Sequence, residues 1–253
     1  MNRELRRGYL EIETTAPRFG SPLSLLADSV RLYLARLGLI VSITVLVYLP
    51  GHLLYQFGAA AMEVPSNGVL SIVLMEVLDI VLAALVTPAL VYGLVHRQRV
   101  ALGECMRWGS RQWMRTLRQQ MLVEVTVLLY GALLIVPGII AMMRLAFVAV
   151  IVAIEGDRQD RPLERSRQLA KSHLWRIFGV FLPLTMLDLA ANFLLLDHVP
   201  TVDTARVLFA VAETGLAVIT QLGTVASLLM YLGLIEVPRR QPGKSLDPPH
   251  SPR

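Results

Sequence analysis

A single cysteine, Cys105, stands in 253 residues. It excludes an intramolecular disulfide and any Cys-rich metal centre. Charge is equally sparse: charged residues make up 17% of the chain and apolar ones 55%, against roughly a quarter and a half in ordinary soluble domains. A mean hydropathy of +0.57 leaves too few polar side chains to cover a water-facing surface, so lipid must be part of the solvent. Lysine is nearly absent as well, with Lys171 and Lys244 the only two. Catalytic signatures are also missing. There is no His-Glu-x-x-His metal helix, no Gly-x-Ser-x-Gly elbow, no Gly-x-x-x-x-Gly-Lys-Ser/Thr loop and no paired-cysteine motif, so the expectation is a protein that is not an enzyme and carries no cofactor.

What is present is long apolar runs. A helix needs about 20 apolar residues at 1.5 Å each to cross about 30 Å of hydrocarbon. Residues 37–57, 69–95, 174–196 and 207–237 each supply such a run. Residues 121–154 are apolar for 34 positions, roughly 50 Å of helix and too long for one span. Pro137 and Gly138 fall near the middle, where a missing backbone donor and a permissive residue suit the tip of a tight hairpin. Spans near 121–136 and 139–154 follow.

The basic residues choose the topology. Six Lys/Arg precede residue 37, six lie in 96–120, six in 155–176 and four after 237, while the opposite side holds only Arg206. By the positive-inside rule this predicts six spans with both ends cytoplasmic. The predicted fold is therefore all-α, a polytopic membrane helical bundle of about six transmembrane helices in three hairpins, with amphipathic cytoplasmic interfacial helices. It divides into a cytoplasmic segment 1–36, a membrane domain 37–237 and a proline-rich, disordered tail 238–253. Segment 1–36 has no cleavable signal peptide of the usual form, so the first span is expected to direct insertion. A pI near 9.7 would suit nucleic acid, but arginine blocks between apolar runs fit cytoplasmic loops and anionic lipid headgroups better. Lipid is the expected partner and nucleic acid is not.

Two amphipathic stretches carry those blocks. In 106–117, Met106, Trp113, Met114 and Leu117 lie near one face, and Arg107, Arg111, Arg115 and Arg118 line another. In 163–174, Leu163, Leu169 and Leu174 oppose Arg165, Arg167, Lys171 and Arg176. Helices of this kind are expected to lie in the headgroup layer with arginines on phosphates. A short pattern recurs before the odd-numbered spans: Ser29 with Leu32, Ser110 with Trp113, Ser166 with Leu169. Leu49-Pro50-Gly51 and Val136-Pro137-Gly138 add a second match. A repeated hairpin unit and the common look of interfacial helices explain this equally well.

Ionisable groups inside spans are costly and mark candidate sites. Counted at 1.5 Å per residue, Glu76, Arg144, Asp188 and Glu213 all fall about 10 Å from the outer ends of their spans, with Asp79 one turn deeper than Glu76. They form a candidate polar layer in which Arg144 is positioned to pair with Glu76, Asp188 or Glu213. Such pairs also serve simply as glue between helices, whereas carboxylates in excess over arginine favour a solute, ion or proton pathway, because an unpaired acid must be protonated or hydrated. Glu124 is expected near the cytoplasmic interface. The histidines at 52, 96, 173, 198 and 250 read as scattered and interfacial, and Asp197, His198 and Asp203 offer a faint metal set at most.

Pro137-Gly138, Arg144, Phe147, Ile154-Glu155, the run 163–169 (LERSRQL, with Ser166 and Leu169), Trp175, Arg176 and Phe178 together resemble the membrane domain found beside glycerophosphoryl diester phosphodiesterases, and related stand-alone six-span bacterial inner-membrane proteins. Leu163 departs from the small residue expected there. The resemblance implies a six-span membrane body with its motif at Pro137, Gly138, Arg144, Glu155, Ser166 and Leu169. It implies no phosphodiesterase activity, since that belongs to a separate soluble barrel of roughly 250 residues and the longest hydrophilic segment here is 36 residues. The leading functional expectation is a non-enzymatic membrane module organising lipids or partner proteins through Arg107, Arg111, Arg115, Arg165, Arg167 and Lys171. The alternative is a small transporter or channel built on the polar layer.

Overall fold

A computed structural model describes residues 21–62, 68–96, 100–155, 161–196 and 203–236. The first 20 residues, the tail from 237 and the Asp197-His198 pair lie outside them. Among the described residues the fold is all-helical, without strands. The helices are α1 (Pro22–Ala35), α2 (Leu37–Ala61), α3 (Val69–Val95), α4 (Leu102–Leu133), α5 (Ile135–Leu145), α6 (Val148–Glu155), α7 (Pro162–Ala170), α8 (Leu174–Leu196) and α9 (Asp203–Glu236). Local sequence sets several of their ends. Ser21 caps α1 by accepting from the Ser24 amide at 3.3 Å, with Pro22 in the first turn, where its missing N–H would have no helical partner anyway.

Five segments are long and apolar enough to cross a bilayer: Leu37–Ala61, Val69–Val95, Ile135–Glu155, Leu174–Ala191 and Thr204–Ile235. Only 17% of the apolar window in α3 and 11% of that in α8 is buried inside the protein. Helices this apolar with so little of their surface covered need hydrocarbon around them. The chain is a polytopic membrane helical bundle.

The sixth expected span, 121–136, takes a different form. The amphipathic stretch and the apolar run join into α4, one unbroken helix of 32 residues. Its apolar end, 121–133, measures only about 20 Å. Its first half does not lie apart as a surface helix but packs antiparallel along α3. A Cβ at Gly109 would stand 2.7 Å from the Leu85 carbonyl oxygen and 2.9 Å from the Ala89 Cβ, so the two backbones meet where neither helix carries bulk. One turn on, the Trp113 indole donates to the Val81 carbonyl at 3.1 Å.

The hairpin tip also shifts. The chain turns at Leu134, whose backbone is extended (φ −161°, ψ 140°), and Pro137 and Gly138 already belong to α5. Proline tolerates the start of a helix, so the turn comes before it. Gly138 serves the close approach instead: a Cβ there would lie 2.7 Å from the Gly131 Cα, which lets α5 fold tightly back on α4. The expected span 139–154 is broken between α5 and α6 at Ala146 and Phe147. Ser166 from α7 fits into that break, donating to the Arg144 carbonyl at 2.8 Å and accepting from the Phe147 amide at 3.3 Å.

The packed interior gathers around the second half of α3. Ile40 and Ile43 of α2, Leu90 of α3, Phe147, Ile151 of α6, Ile177 of α8 and Leu228 and Met230 of α9 are fully buried in one cluster. The Tyr231 hydroxyl donates to the Glu155 carboxylate at 2.6 Å, tying the ends of α9 and α6 together.

Candidate functional site

Where α2, α3, α4, α8 and α9 diverge, they enclose a partly open cavity of about 370 Å³. Each wall follows from helical spacing. On α2, Tyr48, His52 and Gln56 recur every four residues and share a face; Tyr48 and His52 line the cavity and meet edge to face at 5.5 Å. On α3, Glu76, Asp79, Ile80 and Ala83 follow the same rule, as do Gln120 and Glu124 on α4. Asp188 enters from α8, and Glu213, Leu216, Ala217 and Thr220 from α9.

Four of the five residues expected to form a polar layer, Glu76, Asp79, Asp188 and Glu213, line this one cavity. Arg144 does not. Its neighbours Met143 and Leu145 are buried, so the intervening side chain points away, and it is exposed. The expected pairing of Arg144 with Glu76, Asp188 or Glu213 is absent from the cavity. Glu124, expected at the interface, lines the cavity instead because α4 begins far upstream, at Leu102. The lining therefore holds five carboxylates and one imidazole, with no lysine or arginine among them.

His52 is the residue that reading the sequence missed. Expected at the interface, it is instead 1% exposed, because α2 continues past residue 57 to Ala61 and draws His52 inward. Its Nδ1 lies 3.2 Å from the Thr214 hydroxyl and its Nε2 3.1 Å from Asp79 Oδ1. The Thr214 hydroxyl donates its one proton to the Ala210 carbonyl at 2.7 Å, so it can only accept from His52. Nδ1 then carries a hydrogen, and the contact from Nε2 to Asp79 needs a second proton, held either as an imidazolium against a carboxylate or as a neutral imidazole against a carboxylic acid. A histidine spaced one and two helical turns from Tyr48 and Gln56 in an apolar span was the signal available. A further polar tie comes from the Gln56 amide, which donates to Glu213 at 3.4 Å.

Among the described residues no group of three or more His, Cys, Asp or Glu is arranged to hold a metal ion. The carboxylates surround a space rather than converge on a point, and the volume lies within the roughly 300–1,000 Å³ of small-molecule pockets.

The arginine-bearing faces sit elsewhere. Arg107 and Arg111 of α4 and Arg167 and Lys171 around α7 are exposed, while Arg115 and Arg165 are half-buried. On α7, Pro162, Ser166 and Ala170 form the buried stripe, with Leu163 and Leu169 beside it. The three serines of the suspected repeat differ in role: Ser29 and Ser110 bond carbonyls of their own helices, Leu25 at 2.7 Å and Arg107 at 3.0 Å, while only Ser166 bridges helices. His96 and His173 stand at helix ends, as expected for interfacial positions.

These features define the class: a multi-pass membrane protein whose helices surround an acidic, histidine-containing cavity. No family model, no curated protein and no solved structure matches the chain.

Proposed function

We propose that this protein binds a small cationic solute in the acidic cavity and passes it across, or into, the membrane as a transporter or channel. The single observation that carries the reading is the lining itself, five carboxylates and His52 with no lysine or arginine. Carboxylates inside a membrane protein must be protonated, paired or solvated; His52 already faces Asp79, and a bound cation supplies counter-charge to Glu76, Glu124 and Glu213 in the same lining. This reverses the order expected from the sequence, where lipid or partner organisation led. Withdrawal of Arg144 from the layer removes the one fixed cation that would have made it mere helix glue. The second reading keeps the support of the exposed Arg107, Arg111, Arg167 and Lys171, with Arg115 and Arg165 beside them, whose natural partners are anionic headgroups.

Within this proposal the chain sits in the bacterial inner membrane with both ends cytoplasmic, as its arginine blocks favour, and belongs with the membrane domains found beside glycerophosphoryl diester phosphodiesterases. It performs no hydrolysis. Tetramethylammonium binding to the purified full chain in phosphatidylcholine nanodiscs tests the assignment. Saturable binding that falls at least tenfold in Asp79→Asn/Glu213→Gln supports it. Equal binding by both proteins, or binding of acetate in place of the cation, refutes it.

A further inference from the structure

A second cavity, of about 290 Å³, adjoins the first between α8 and α9. The two share Asp188, Leu216 and Thr220, so only these side chains stand between them. Their walls differ in kind. Beyond the shared residues, the second is formed chiefly by Phe181, Leu184, Leu187, Ile219 and Gly223, with Thr185 the one further polar side chain. Leu187 and Ile219 are 50% and 48% exposed, which puts the groove at the outer surface of the bundle, in the part of α8 and α9 apolar enough to face lipid.

An apolar groove that starts at the lipid face and ends at a carboxylate has the polarity of an amphiphile. We propose that the solute of this protein is an amphipathic cation, a positively charged amine with an apolar tail, which enters sideways from the bilayer between α8 and α9. The tail lies along Phe181, Leu184 and Ile219, and the ammonium passes Asp188 to reach Glu213 and Asp79. Charge complementarity selects a cationic head: an anionic lipid would set a phosphate against five carboxylates, a zwitterionic one would bring a phosphate in directly behind its ammonium, and a neutral apolar molecule would gain nothing from them. The proposal rests on the acidic cavity as a cation site and adds the route and the tail.

Gly223 offers the decisive substitution. It lines the groove but not the acidic cavity, and a Cβ there meets nothing within 4 Å, so a larger side chain can start there without a clash at Cβ, and Gly223→Phe is chosen to fill the groove. The full chain in phosphatidylcholine nanodiscs is dialysed against decyltrimethylammonium, tetramethylammonium or decyl sulfate, with empty nanodiscs subtracted. The expected result is saturable binding of decyltrimethylammonium, weakened at least tenfold by Gly223→Phe, with tetramethylammonium unchanged by that substitution and decyl sulfate unbound. If Gly223→Phe left decyltrimethylammonium binding intact, or decyl sulfate bound as well, the lateral route would be overturned while the acidic cavity stood. If neither ammonium bound the wild type, both readings would fall together. If Gly223→Phe lost both ligands, Ile219→Trp, at the exposed rim, decides in the same way.

Discussion

His52 places its Nε2 3.1 Å from Asp79 Oδ1 while its Nδ1 faces a threonine hydroxyl already committed to the Ala210 carbonyl. That arrangement dictates a proton on Nδ1, since the alternative would bring two acceptors together. In ¹⁵N-histidine spectra of the purified protein, assigned with His52→Gln, the Nδ1 signal should be that of a protonated nitrogen. A neutral ring protonated only at Nε2 would contradict the hydrogen-bond chain.

Ser166 holds a broken helix together. Its hydroxyl meets both the Arg144 carbonyl and the Phe147 amide, and the residue is 0% exposed. Ser166→Ala leaves the buried Phe147 amide and the part-buried Arg144 carbonyl unsatisfied, a loss of about 1–3 kcal/mol. A thermal midpoint measured in detergent should fall, and an unchanged midpoint would show that the break needs no such support.

Glycine positions on α4 separate packing from propensity. Gly109 meets the Leu85 carbonyl and Ala89 so closely that Gly109→Ala must push α3 and α4 apart, costing about 1–3 kcal/mol. Nothing lies within 4 Å of a Cβ at Gly103, and Gly103→Ala should stay within about 0.5 kcal/mol of wild type. Equal midpoints for the two variants would remove the close approach from the account.

Cys105 is 0% exposed, and burial, reinforced by Glu104, pushes its thiol above the usual range. A thiol raised in the folded state stays protonated there longer than in the unfolded chain, so its contribution to stability is full at neutral pH and declines as pH rises through the ordinary thiol range. Maleimide labelling of the native protein should be slow and its rate profile displaced to higher pH, with full labelling after denaturation in SDS. Rapid native labelling near neutral pH would show that α4 does not pack on α3 as described.

How far the sequence reached depends on the kind of signal. Apolar length was enough for α2, α3, α8 and α9, because hydrocarbon thickness is a strong, one-dimensional constraint. Turn chemistry was less decisive. Pro137-Gly138 correctly marked a hairpin, yet Leu134 makes the turn, since a proline is as much at home in a first helical turn as in a loop. Depth counting brought Glu76, Asp79, Asp188 and Glu213 together but said nothing about rotation around the helix axis, which is what turns Arg144 away and His52 inward. Four residues of extra helix beyond residue 57 separate an interfacial histidine from a buried one. The Ser-x-x-Leu pattern showed where a serine would fall, but only tertiary packing distinguishes Ser166, which bridges helices, from Ser29 and Ser110.

The most direct test is solute movement. Proteoliposomes containing the full chain, with a membrane potential negative inside, should accumulate labelled tetramethylammonium above protein-free vesicles. The rate should fall at least tenfold in Asp79→Asn/Glu213→Gln and remain near wild type in Arg144→Gln, whose side chain stands outside the cavity. Accumulation no faster than in protein-free vesicles, or a collapse on removing Arg144 with the carboxylates intact, would contradict the assignment of this cavity as a cation site.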